Sequence, residues 1–441
     1  MLKHLKALSL LCFSAPVIAA GPLVLEGPNG HVPATYEDSN IVLNIETGTL
    51  GSLLNDEADQ LVRDALTIWN DISTSTIAIT LGNDVPVDID ETNFTSYIPD
   101  PFNSFINNDN DGLNPIVYDD DGSIIDAYFG IGQGTGLDAS VVGFAASSIL
   151  IGSSYYTEGF AVINGNDFLP IGPEQIKLIF AHEIGHYLGL DHTQANIDNT
   201  ESLFDFCPSA ENDYPLMYPY ACRGSQFTHP DDNVSLSMLY PAADFFQQYG
   251  QLTGRFVTTD GVAVKGANLW VENTMTGAVY SVVSDYLMQC TGFFALFLPP
   301  GSYTLHANSI NNEFYSGSSV GPYALTPYDL SFQSPASTIG SVEFDAGGVP
   351  PAILNLVAGK AVDVEFRTDG SGTVTSNDTQ VDLVQIYNST ETCAVTSIPV
   401  VDDGGGGGGG SPSLPLLAIL LSMPALRMCS TRRKTVRRHT S

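Results

Sequence analysis

The chain has 441 residues, 43% of them hydrophobic, which is enough for two or three domains with proper cores and excludes a disordered protein. Acidic residues outnumber basic ones 49 to 15, and eight of the bases (Lys3, Lys6, Arg427, Arg432, Arg433, Lys434, Arg437 and Arg438) lie at the two ends. Between Gly21 and Asp403, 7 bases therefore oppose all 49 acids, a net of −42; such a body excludes nucleic acid and anionic membranes as partners, although a soluble acidic surface accounts for most of this charge without any function.

Residues 1–20 read as a secretory signal: Lys3 and Lys6 precede an apolar run, and Val17-Ile18-Ala19-Ala20 offers small residues for cleavage. Residues 21–35 form an irregular lead-in. Alternation at 41–45 predicts a first strand. Asn55 or Asp56 can cap a helix through Trp69, with Leu61, Ala65, Ile68 and Trp69 on its apolar face, and 77–81 returns as a strand. The stretch 84–140 is rich in acids and glycines. Asp109 and Asp111, then Asp119 and Asp121 followed by Asp126, are hard oxygen ligands spaced two apart beside a glycine. They suit calcium or plain acidic turns, and neither piece completes an EF-hand loop. Residues 141–151 supply an edge strand, and 160–163 pair beside it. Gly172-Pro173-Glu174 opens a helix whose inner side carries Ile176, Ile179, Phe180 and Ile184.

That helix holds the most informative stretch, His182-Glu183-Ile184-Gly185-His186-Tyr187-Leu188-Gly189-Leu190-Asp191-His192. His182 and His186 lie one turn apart on one face and can reach one ion. Glu183 sits about 100° round the helix, beside the ion rather than on it. A continuing helix would carry His192 away. Gly189 is suited to stop it, because glycine accepts the left-handed conformation that ends helices. Three protein nitrogens with a fourth position left open describe a catalytic zinc. His31, His229 and His306 have no metal-spaced partners and read as surface residues.

These residues match the long metzincin motif, and Leu190-Asp191-His192 with Pro215-Leu216-Met217-Tyr218-Pro219 resembles the matrixins, the family of the matrix metalloproteinases. Residues 65–72 resemble that family's first helix and 231–240 its closing helix, so the likeness covers about 36–245. It implies an α+β zincin fold, a twisted mixed sheet with three helices, and a zinc endopeptidase acting on protein or peptide. By the same likeness His182, His186 and His192 hold Zn2+, Glu183 is the general base and Met217 is the Met-turn beneath the metal. Asp191 either orients a ligand histidine or caps the helix end. Cys207 and Cys222 bracket the Met-turn and pair; Cys290 and Cys393 form a second bridge or stay as buried thiols. The sequence departs from the family in lacking the upstream histidines of its second zinc and a cysteine switch, since no cysteine lies between Cys12 and Cys207.

Past Pro241 the pattern turns to strands. Residues 250–310 resemble the transthyretin-like β-sandwich found beside carboxypeptidases, and 311–402 is a further β-rich region. Seven glycines, 404–410, then lead to an apolar stretch, 414–426, and a basic end. The order resembles the Gly-Gly sorting signals of Gram-negative exported proteins, which implies secretion or cell-surface display with transient membrane anchoring by residues 403–441. A permanent anchor or a disordered tail are the alternatives. Two other functions fit less of the pattern: a surface adhesin with a degenerate zinc domain, and a zinc hydrolase for a non-protein substrate.

Overall fold

The computed structural model describes residues 21–27, 29–99, 112–137, 139–149, 153–166, 171–197, 207, 209–225, 227–311, 314, 318–323 and 339–390, with the backbone of 425–427. The leader 1–20, Asp109, Asp111, Cys393 and nearly all of the tail lie outside them. Among the described residues no helix is long and apolar enough to cross a membrane.

Three short strands, β1 (Leu25–Glu26), β2 (Val32–Pro33) and β3 (Thr35–Tyr36), precede β4 (Asn40–Ile45) and α1 (Asn55–Asn70). There follow β5 (Ala78–Leu81), a single 3-10 turn, β6 (Pro115–Asp119), α2 (Ser123–Phe129), β7 (Val141–Ile149), β8 (Tyr155–Asn164), α3 (Pro173–Tyr187), α4 (Pro230–Leu239) and α5 (Phe245–Gln248). The central sheet runs β7-β8-β6-β4-β5. Its inner pairs are parallel and β7 is antiparallel to β8, giving a mixed sheet with a reversed edge.

Alternation along β8 shows why this sheet is buried on both faces. Ala161 and Ile163 pack with α1 and α3, whereas Phe160 and Val162 pack with Ile124, Ile125 and Tyr128 around α2. Trp69, fully buried on α1, donates its indole N–H to the Ala181 carbonyl at 2.7 Å and so locks α1 to α3 one residue before the histidine motif. The α1 cap differs from the expectation. Leu54 precedes the helix and its N–H donates to the Glu57 carboxylate, while Asn55 turns back to donate to the Glu46 and Gly48 carbonyls.

The second half holds β9 (Gly250–Val257), β10 (Ala267–Asn273), β11 (Val279–Val283), β12 (Phe293–Leu298), β13 (Gly301–Ser309), β14 (Val342–Glu343), β15 (Leu354–Leu356), β16 (Ala361–Arg367), β17 (Gly372–Asn377) and α6 (Leu383–Tyr387). One sheet runs β11-β10-β13-β14, with β15 also on β13; the other runs β12-β9-β16-β17. Their inner faces share one core that includes Leu252, Phe256, Leu269, Phe294, Leu305, Leu356 and Phe366. The expected division at 310 therefore falls inside a single β-sandwich, because β14 to β17 complete both of its sheets. Overall the chain is α+β with several sheets and few helices. A last strand, β18 (Ala425–Arg427), pairs antiparallel on the outer edge of β7.

Candidate metal centre

Gly172 precedes α3 and Pro173 opens it, where a missing N–H costs nothing. The helix is buried nearly all round from Ile176 to Tyr187, between α1 and the sheet. Gly189 then takes φ +91°, and the Leu190 N–H returns to the Gly185 carbonyl at 2.9 Å. The chain turns back as expected, bringing His192 to the two helix histidines.

The three Nε2 atoms converge, with separations of 3.0, 3.1 and 3.2 Å. Ligand nitrogens on a tetrahedral zinc stand roughly 3.3 Å apart, so the pocket they leave fits that ion. His182, His186 and His192 form the one such cluster of candidate ligands among the described residues. Each Nδ1 meets a backbone carbonyl: His182 that of Leu216 at 2.6 Å, His186 that of Leu190 at 2.7 Å, and His192 that of Ser319 at 3.0 Å. A carbonyl only accepts, so each Nδ1 carries the proton and each Nε2 lone pair faces inward. Burial disfavours the imidazolium form as well. It lowers His182 to about 4 against the pull of the Leu216 carbonyl, and it holds His186 and His192 well below the usual histidine range. Neutral rings are the metal-binding form.

Glu183, next in the chain to His182, is fully buried. Its carboxylate presses on β7 at Gly143, where a Cβ would stand 2.9 Å from Glu183 Oε1 and 3.0 Å from its Cγ. Gly143→Ala should therefore displace Glu183 without touching the nitrogens. For a site in which Glu183 acts as a base on a zinc-bound substrate, the expected result is turnover lowered roughly 10²-fold, the scale of a 1 Å misplacement, at unchanged zinc affinity. Equal turnover in the variant would show that the carboxylate position does not matter.

Met217 lies under α3 at Gly185, where a Cβ would be 2.4 Å from its sulfur and 2.8 Å from the Trp69 ring. Asp232 builds this floor. Its buried carboxylate accepts the N–H groups of Leu216 at 2.8 Å, Met217 at 3.1 Å and His229 at 2.8 Å. Sequence reasoning missed Asp232, although an acid in the first turn, two residues after Pro230, is a helix-start signal. The Met217 carbonyl in turn accepts from the Thr193 N–H, next to His192. Cys207 and Cys222 are disulfide-bonded with a sequence separation of 15, a closure that contributes about 3 kcal/mol in the chain-entropy account. Cys290 is disulfide-bonded too, and its expected partner Cys393 lies outside the described residues.

Other expectations need correction. Asp191 orients no ring: its buried carboxylate accepts the N–H of His192 at 2.6 Å and of Gly321 at 3.2 Å. Asp119 is not an open calcium ligand. It is 1% exposed and accepts from Ile124 and Ile125 at the start of α2, while Asp121 accepts from Ser123. Asp126 likewise closes the following loop through the N–H groups of Gly132, Gly134 and Thr135. These carboxylates satisfy helix-end and loop donors, which an acid-and-glycine pattern does not distinguish from a calcium loop. His31, His229 and His306 are buried rather than at the surface. His229 accepts from the Asp231 N–H at the start of α4, and His306 stacks on Trp270 with ring centres 3.9 Å apart.

No family model matches the chain, and no curated protein does. Among solved structures it is similar to a protein of Bacteroides ovatus ATCC 8483 provisionally described as a cell adhesion protein. The likeness has 10% identity and a TM-score of 0.17 over 31% of this chain and 46% of that one, too slight to carry an argument.

Proposed function

We propose that the chain is an exported zinc endopeptidase of the matrixin-like metzincin type. The observation that carries this is the meeting of three Nε2 lone pairs within 3.2 Å, each aimed by a carbonyl behind it, with an acid next to the first ligand. His182, His186 and His192 would hold the ion. A zinc ion bound there supplies Lewis acidity, polarising a carbonyl and making water a nucleophile near neutral pH. Glu183 takes the proton as water attacks the scissile carbonyl, then passes it to the departing amine. Met217 and Asp232 keep the floor rigid. The β7 edge presents backbone groups to a peptide added as an extra strand. β18 already pairs there, with Leu426 opposite Gly143, so a substrate would take its place.

Export rests on the leader 1–20 and the tail after Asp403. Hydrolysis of a casein-like protein by the chain from Gly21 onward tests the activity. A chelator should abolish it and added zinc restore it; proteolysis that survives complete metal removal would refute the assignment.

A further inference from the structure

The third ligand differs from the other two in what holds it. His182 and His186 lean on Leu216 and Leu190, both in the first half of the chain. His192 leans on Ser319, beyond β13 in the second half. Its neighbours behave alike. Asp191 accepts from the Gly321 N–H, and the Thr193 hydroxyl meets that of Ser281 on β11 at 2.6 Å. Gln194 donates to the Ser309 carbonyl at 3.2 Å and accepts from the Asn311 N–H at 2.8 Å. The Ala195 carbonyl accepts from Asn268 on β10 at 2.8 Å. Five consecutive residues, 191–195, thus each have a partner in the sandwich, and all five are fully buried.

Two further contacts close the junction. Asp231 of α4 accepts from the Ser281 N–H at 2.6 Å. Tyr214, Tyr218 and Cys222 around the Met-turn share an apolar cluster with Val283, Phe314 and Val320 of the second half.

We propose that the β-sandwich is a working part of the metal centre: β10, β11 and the strap 318–321 position the loop that presents His192. This deepens the zinc reading above and rests on it. The physical reason is preorganisation. After Gly189 the chain has left the helix, and an unsupported loop would lose conformational freedom each time the ion bound. The sandwich carries that ordering in advance. Gly321 is the point at which to disturb it, because its φ of +78° strains any other residue and its missing Cβ would stand 2.8 Å from Val283 Cγ2.

The test uses the full chain, loaded with zinc alone and titrated against a chromophoric chelator. Gly321→Val should weaken zinc about 10–100-fold, the range of outer-shell changes, and Ser281→Ala should weaken it by a smaller factor. Ser302→Ala, in the same sandwich but at an exposed contact with Asn355, should leave affinity within about twofold, as surface changes generally do. Visible absorption of the cobalt(II) form should weaken in Gly321→Val as the tetrahedral set loses His192, a change that general loss of stability would not produce in folded protein. Wild-type affinity in both Gly321→Val and Ser281→Ala overturns the proposed role of the sandwich while sparing the zinc reading. A wild-type chain that takes up no zinc overturns both.

Discussion

Glu183→Ala should reduce peptide hydrolysis by about 10²–10⁴-fold, the range that a positioned general base contributes, while zinc affinity stays at the wild-type value. The separation of the two readouts follows from the geometry. The carboxylate rests against Gly143 on β7, whereas the metal pocket is bounded by three imidazole nitrogens whose partners are the carbonyls of Leu216, Leu190 and Ser319. Truncating Glu183 removes the proposed proton acceptor and leaves every one of those contacts in place. The measurement pairs single-turnover hydrolysis of a quenched-fluorescence peptide with chelator competition. Undiminished hydrolysis would mean that Glu183 is not the base, and loss of zinc would mean that it belongs to the coordination shell.

His192→Ala should have the opposite signature: a loss of zinc affinity greater than the roughly 10–100-fold typical of outer-shell changes, with catalysis lost because the metal is lost. The loop should hold its shape. Asp191, Thr193, Gln194 and Ala195 keep their bonds to the sandwich, and Thr193 keeps its bond to Met217. Calorimetric zinc titration of the variant, beside thermal unfolding of both metal-free proteins, checks this. Wild-type affinity would show that His182 and His186 hold the ion without the loop.

The histidine pattern was readable in the sequence because its geometry is local. A four-residue spacing on a helix puts His182 and His186 on one face, and a glycine at the helix end lets the chain turn back towards them; Gly189 does adopt a positive φ. Alternation likewise located β4 to within one residue, and the apolar run from 141 located β7, whereas the strand expected at 160–163 is only the later part of β8. What could not be read depends on distant backbone groups. Nothing in the sequence near His192 announces a carbonyl at Ser319 or an N–H at Gly321, and neither group has a side-chain signature. The acids at 119–126 misled for a related reason. Calcium loops and helix caps use the same residues, and only the direction of the N–H groups of Ile124 and Ile125 separates them. The buried histidines were missed because their burial comes from tertiary packing, as in the stack of His306 on Trp270.

Zinc-edge X-ray absorption on the intact, disulfide-bonded chain carrying one equivalent of zinc tests the central claim most directly. The account predicts a four-coordinate shell of nitrogen and oxygen, with three imidazoles at about 2.0–2.1 Å and no sulfur. A sulfur-containing shell, fewer than three imidazoles, or zinc that washes out on gel filtration would contradict it.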